Sequence, residues 1–135
     1  MSTFPLKIVT PDGLIFDGEA EKIIVRTIEG DMAILARHIN CVASLGMGRA
    51  TVVDAAGNRR YAACIGGMLS VQNGEVSLVP TTFEWAESID AARAQLSLER
   101  AEKILNDKEA SAADLKLAEA RLHRALVRKS VASNK

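Results

Sequence analysis

The chain has 135 residues, enough for one domain or two small ones. Its 17 basic residues balance 17 acidic ones, so no net field draws it to nucleic acid or to an anionic membrane. Only 4% of residues are aromatic, which argues against a base-stacking surface, and no apolar run approaches the roughly 18 residues of a membrane span.

The opening stretch, MSTFPLKIVTPDG, lacks the charged start and apolar core of a secretory signal. From there to Pro80, short apolar runs alternate with turn signals. PLKIVT leads to Pro11-Asp12-Gly13, LIF to Asp17-Gly18, and KIIVRT to Glu29-Gly30-Asp31. RATVVD leads to Ala56-Gly57-Asn58, and MLSVQ to Asn73-Gly74. Asp-Gly and Asn-Gly supply the positive φ that tight hairpins need. In KIIVRT the alternation puts Ile23, Val25 and Thr27 on one face and Lys22, Ile24 and Arg26 on the other, as in a half-buried strand. The pattern predicts an antiparallel β-sandwich or flattened barrel of about 8–10 short strands. Gly46-x-Gly48 and Gly66-Gly67 sit between strand-like runs and read as turn or close-packing glycines. Cys41 and Cys64 lie in apolar stretches without metal-ligand spacing, which predicts buried, reduced thiols.

All nine glycines and three prolines fall at or before Pro80. Alanine, leucine and charged residues follow, and these extend helices. A boundary near residue 85 therefore separates a β domain, 1–85, from a helical domain, 86–135. Ser88 reads as an N-cap with Asp90 in the first turn. Ala94, Leu98, Ala101 and Leu105 form an apolar seam. NDKEAS makes a turn, Ser111-x-x-Asp114 resembles a capping box, and Leu115, Ala118, Leu122 and Ala125 form a second seam. The expected product is an antiparallel two-helix hairpin.

Catalytic chemistry finds no support in the motifs. His38 and His123 share no metal spacing, and no nucleophile elbow, P-loop or zinc-protease motif occurs. His38 reads as a residue that orders its loop. The arginines carry more information. Asp90, Arg93, Ser97 and Arg100 share one face of the first helix, and Arg121, Arg124 and Arg128 share one face of the second. Two readings stay open on spacing alone. The faces are solvated and tied by weak ion pairs, or the guanidinium forks converge on a polyanion.

Several motifs in order resemble the epsilon subunit of F-type ATP synthases over the whole chain. They are VTPDGLIFDGEAEKIIVRTIEGDMAIL, RHI, IGGMLSVQNGEVSLV, SIDAARA and HRALVRKSVASNK. Ala33 stands where that family usually has glycine, and Asn40 stands near a common proline. The resemblance implies a non-catalytic rotor subunit that couples ion flow to ATP synthesis. Its sandwich would grip the gamma subunit of the central stalk and touch the membrane c-ring, with Glu29 and Asp31 at the ring. It would lie peripherally on the cytoplasmic face of the cell membrane, without inserting. In some members the folded hairpin holds ATP. Carried over by position, that site comprises Ile89, Asp90, Arg93, Ala94, Arg100, Arg124 and Arg128, with Glu84 a looser match. No other cofactor and no metal is implied. Loss of ATP would release the hairpin toward the alpha and beta subunits of the catalytic head, where it suppresses hydrolysis. A freestanding nucleotide sensor using the same arginine face is the alternative.

Overall fold

The computed structural model describes residues 2–133. Two compact units divide the chain between Trp85 and Ala86.

The first unit is a β-sandwich. Among the described residues nine strands form: β1 (Phe4–Thr10), β2 (Gly13–Thr27), β3 (Gly30–Leu35), β4 (Cys41–Ser44), β5 (Met47–Asp54), β6 (Arg59–Ile65), β7 (Met68–Gln72), β8 (Glu75–Val79) and β9 (Thr82–Trp85). They pair in the order β4-β7-β8-β1-β2-β5-β6-β9, and β3 joins β2. The 15-residue β2 belongs to both layers. Its first half pairs with β1, from Gly13↔Thr10 to Ala20↔Phe4. Its second half pairs with β3 and β5. The register shifts between Ala20 and Lys22, where the extra residue bends the strand from one layer into the other.

Two expectations need correction here. Asp17-Gly18 makes no turn; both residues lie inside β2, opposite Lys7 and Leu6. The sheet is also not wholly antiparallel, because β1 runs parallel to β8 through Leu6↔Val76, Lys7↔Ser77 and Ile8↔Leu78. The remaining turn signals act as read. Asn73 and Gly74 both take positive φ, 52° and 83°, the signature of a tight hairpin turn. The turns at the two ends of β2 are built alike. Thr10 Oγ1 accepts from the Asp12 N–H at 3.2 Å and donates to Gly13 O at 3.4 Å. Thr27 Oγ1 accepts from the Glu29 N–H at 3.1 Å and donates to Gly30 O at 2.7 Å. In the β5–β6 turn the Asp54 carboxylate accepts N–H bonds from Asn58 and Ala56, and the Asn58 bond leads in holding it below the usual carboxylate range.

The alternation read in KIIVRT holds: Ile23, Val25 and Thr27 are buried, Lys22 and Ile24 half-buried, Arg26 exposed. The core draws on both layers, with Leu6, Ile8, Leu69 and Leu78 from one and Ile34, Val52, Ala62 and Phe83 from the other. Phe83 meets Trp85 edge to face at 5.0 Å, and the Arg60 guanidinium lies 3.7 Å above the Trp85 ring. Cys64 is buried, and burial pushes its thiol up to about 12. Cys41, by contrast, is only half-buried, because it opens edge strand β4, which pairs in the sheet with β7 on one side. Gly67 takes a φ of 98°, and its α-carbon runs against the Val79–Pro80 backbone. This is the close packing expected of the glycine pair.

The second unit holds a short 3₁₀ turn, Ala86–Ser88, and two helices, α1 (Ala91–Leu105) and α2 (Ala112–Ala132). Ser111 caps α2 as read, its Oγ accepting the Asp114 N–H at 3.1 Å. Ser88 does not cap α1. Residues 86–88 are spent on the 3₁₀ turn, and Asp90 is the N-cap, one residue before the helix. The helices pack on each other. What they bury is small: Ala94, Leu98 and Ala101 on α1, and Ala118, Ala125, Val131 and Ala132 on α2. Alanines allow close approach yet remove little apolar area from water, so the seam is thin. Leu105, Leu115 and Leu122 flank it half-buried. The last two residues of the C-terminal motif, Asn134 and Lys135, lie outside the described residues.

Candidate functional site

The start of α1 places the SIDAARA motif. Ile89 is 2% exposed, and its N–H donates to Ala86 O at 3.2 Å. Asp90 follows in extended conformation, and its Oδ1 accepts the Arg93 N–H at 3.0 Å. Ala94 is fully buried, its N–H closing the first helical bond on Asp90 O at 3.0 Å. Of the four motif positions, Ile89 and Ala94 enter the unit's interior and Asp90 starts the helix. Arg93 is exposed, so its charge faces water. Arg100 is exposed two turns along α1, and Ser97, between them, is half-buried.

The arginines of α2 differ from one another. Arg121 is exposed, whereas Arg124 and Arg128 are half-buried. Arg124 Nε donates to Ala120 O at 3.4 Å, one turn back, which sets the direction of its guanidinium. The Arg128 Nε is buried. The second helix therefore does not present a uniformly solvated arginine face. It holds back the two arginines that the family pattern singles out and leaves the third in water. Cationic forks held by their surroundings spend less side-chain entropy on gripping an anion than free ones do. Glu84 belongs to the sandwich unit, half-buried on β9 opposite Ala63.

The other candidate surface is the β2–β3 turn. Glu29 and Asp31 are exposed, and Ile28 beside them is 72% exposed. The Ile28 N–H donates to Ser44 O at 3.0 Å, so this tip is tied to β4 and not loose. Asp31 lies opposite Arg26, and the two are paired at 3.3 Å. His38 Nδ1 sits 2.8 Å from the carbonyl oxygen of the next residue, Ile39, and 3.9 Å from Cys41 Sγ. Asn40 has a role of its own: its Oδ1 accepts the Asn73 N–H at 2.9 Å and joins this loop to the β7–β8 turn. Ala33 sits in the regular β3 ladder opposite Ile24, where no glycine is required.

Sequence reasoning passed over Ile28 and the Arg60–Trp85 stack. A lone isoleucine before Glu-Gly carries no local sign of exposure. Arg60 and Trp85 meet only once β6 and β9 are paired, with Ala62 opposite Trp85. No group of three or more potential metal ligands occurs among the described residues.

Known proteins match this architecture along its whole length. The family model of the ATP synthase delta/epsilon chain β-sandwich domain covers residues 3–86, and that of the long α-helix domain covers 87–133. The ATP synthase epsilon chain of Shouchella clausii is 37% identical over 135 residues, covering 100% of this chain and 98% of its own. A chain of the Euglena gracilis mitochondrial ATP synthase, in an assembly with OSCP, F1 and c-ring, superposes with a TM-score of 0.86 at 23% identity, covering 100% of this chain and 83% of that one. A chain from the central stalk and c-ring of the Tetrahymena thermophila mitochondrial ATP synthase superposes with a TM-score of 0.66 at 14% identity, covering 95% of each. At those identities the two structures speak for the fold alone. The paired domain models and the full-length relative speak for descent, and on them this chain belongs to the ATP synthase delta/epsilon chain family.

Proposed function

We propose that the chain is the epsilon subunit of a rotary ATP synthase: a non-catalytic piece of the central stalk that couples ion flow to ATP synthesis and restrains hydrolysis. The observation that carries this reading is the match of both domain models, in order, to residues 3–86 and 87–133. In the reading, the sandwich is the lasting attachment to the gamma subunit and the c-ring, on the cytoplasmic face of the cell membrane. No described helix is long and apolar enough to cross a membrane. Co-isolation of the tagged chain with a gamma subunit from membranes is the direct test. Recovery of the chain alone would leave a freestanding sensor.

Residues 1–85 are expected to fold as a separate domain. A chain ending at Trp85 should stay soluble, protect its strands from amide exchange, and still bind gamma. Unprotected amides would mean that the sandwich needs the helices.

The β2–β3 tip is the proposed ring contact. An exposed isoleucine followed by Glu29 and Asp31, on a turn held by Thr27 and Ser44, offers an apolar point beside charge, the usual anatomy of an interface. Glu29→Lys should weaken assembly or ion-driven ATP synthesis. Asp31→Lys should do the same, although it also removes the partner of Arg26, so Glu29→Lys is the cleaner variant. Full assembly and synthesis in both variants would take this turn out of the interface.

For the hairpin, the reading is that ATP is held by Arg93, Arg100, Arg124 and Arg128 as a regulatory ligand. Two arginines held half-buried on α2 support it. ATP bound to the folded hairpin would favour that state, and low ATP would release the helices toward the alpha and beta subunits.

A further inference from the structure

We infer that Asp90 is a positioning residue: its carboxylate starts α1, and so fixes where Arg93 projects, without itself holding a ligand. The binding half of this inference rests on the nucleotide reading above.

Three observations support it. Asp90 is engaged at the helix start twice, since its Oδ1 accepts the Arg93 N–H at 3.0 Å and its main-chain oxygen accepts the Ala94 N–H at 3.0 Å. The residue is also held from both sides. Ile89 before it is 2% exposed and hydrogen-bonded to the 3₁₀ turn, and Ala94 after it is fully buried in the seam. An N-cap pinned in this way determines the helix phase, and Arg93 is the third residue of that helix. Its backbone is the very group that Asp90 grips, so the carboxylate and the arginine are mechanically one unit.

The third observation comes from the same hairpin. Ser111 does the same work at the start of α2 with a neutral hydroxyl, accepting the Asp114 N–H at 3.1 Å. Capping therefore needs no charge here, only a short side-chain acceptor. If Asp90 acts by capping alone, serine can replace it. If it reaches a ligand donor, such as the exocyclic amine of an adenine, serine is too short and lacks the charge.

The experiment compares the wild type, Asp90→Ala and Asp90→Ser in the full chain. Each is titrated with ATP and with ITP, which carries the same triphosphate but no exocyclic amine. Amide exchange at Arg93 is followed in parallel. Positioning predicts that Asp90→Ala weakens both nucleotides by the same factor, about fivefold for loss of a typical cap, and speeds exchange at Arg93 by about as much. Asp90→Ser should restore both. Asp90→Ser that protects the Arg93 amide but binds ATP as weakly as Asp90→Ala would overturn the inference, and so would an alanine variant that loses ATP more than ITP. Unchanged exchange in Asp90→Ala would overturn it as well. If the wild type binds neither nucleotide, the nucleotide reading fails, and the exchange arm still decides whether Asp90 sets the helix start.

Discussion

Gly67→Ala should destabilise the sandwich by about 2–5 kcal/mol, combining a strained left-handed backbone with overpacking. A β-carbon at this position would overlap the Val79 carbonyl oxygen and lie 2.5 Å from the Pro80 α-carbon. Both are backbone atoms, so no side-chain rotation relieves the clash. Pro80 is itself buried, which closes the way out. Urea unfolding followed by the fluorescence of Trp85, the single tryptophan of the chain, measures the loss. Gly57→Ala is the matched control, because Gly57 has a φ of 86° and a β-carbon added there would meet nothing within 4 Å. It should lose only the backbone part, about 1–2 kcal/mol. Equal losses at the two positions would mean that conformation alone, and not the approach of the chain before β7 to the Val79–Pro80 segment, makes Gly67 necessary.

Removing one of the four hairpin arginines should weaken ATP binding about ten- to a hundredfold. A charge-assisted contact between guanidinium and phosphate contributes roughly 1.5–3 kcal/mol, and each 1.4 kcal/mol is about tenfold in affinity. Calorimetric titration of Arg93→Ala, Arg100→Ala, Arg124→Ala and Arg128→Ala gives the four numbers. Arg121→Ala is the internal reference. It is exposed on the same helix as Arg124 and Arg128 but lies outside the set of arginines proposed to hold ATP, so it should stay within about twofold of the wild type, as expected of a solvated charge. Arg124 and Arg128 are half-buried, and truncation there also removes packing of the side-chain stem. The helical signal of each variant must therefore be recorded with its affinity. Wild-type affinity in Arg93→Ala and Arg128→Ala, with the hairpin intact, would return these arginines to a purely structural role.

Much of the fold was legible because its signals are local. Asn73-Gly74 needs only its own φ angles, KIIVRT its own alternation, and Ser111 its own helix. The misreadings share a different cause. Asp17-Gly18 looks like a turn in isolation, but β1 pairs across it and holds it extended. The parallel β1–β8 pair joins residues about seventy positions apart, and no short window records such a contact. Ser88 and Asp90 are comparable caps by chemistry. Burial of Ala86 and Ile89 decides between them by using residues 86–88 for a separate turn. The arginine spacing showed which residues share a face but not how deeply each sits. That depth follows from which alanines form the seam, and it separates Arg124 and Arg128 from Arg121.

The continuity of β2 has a mechanical side. A load applied at the Ile28–Glu29 tip enters one covalent strand that crosses both layers before it turns back at Gly13. The bonds of an antiparallel ladder stand perpendicular to the strand, so a pull along β2 strains its rungs to β1, β3 and β5 together and does not open them one at a time. The bend near Glu21 is a compliant point of this path, since the ladder to β5 is interrupted there. A subunit held at one end and turned from the other would transmit twist through its most continuous element and yield first where that element bends.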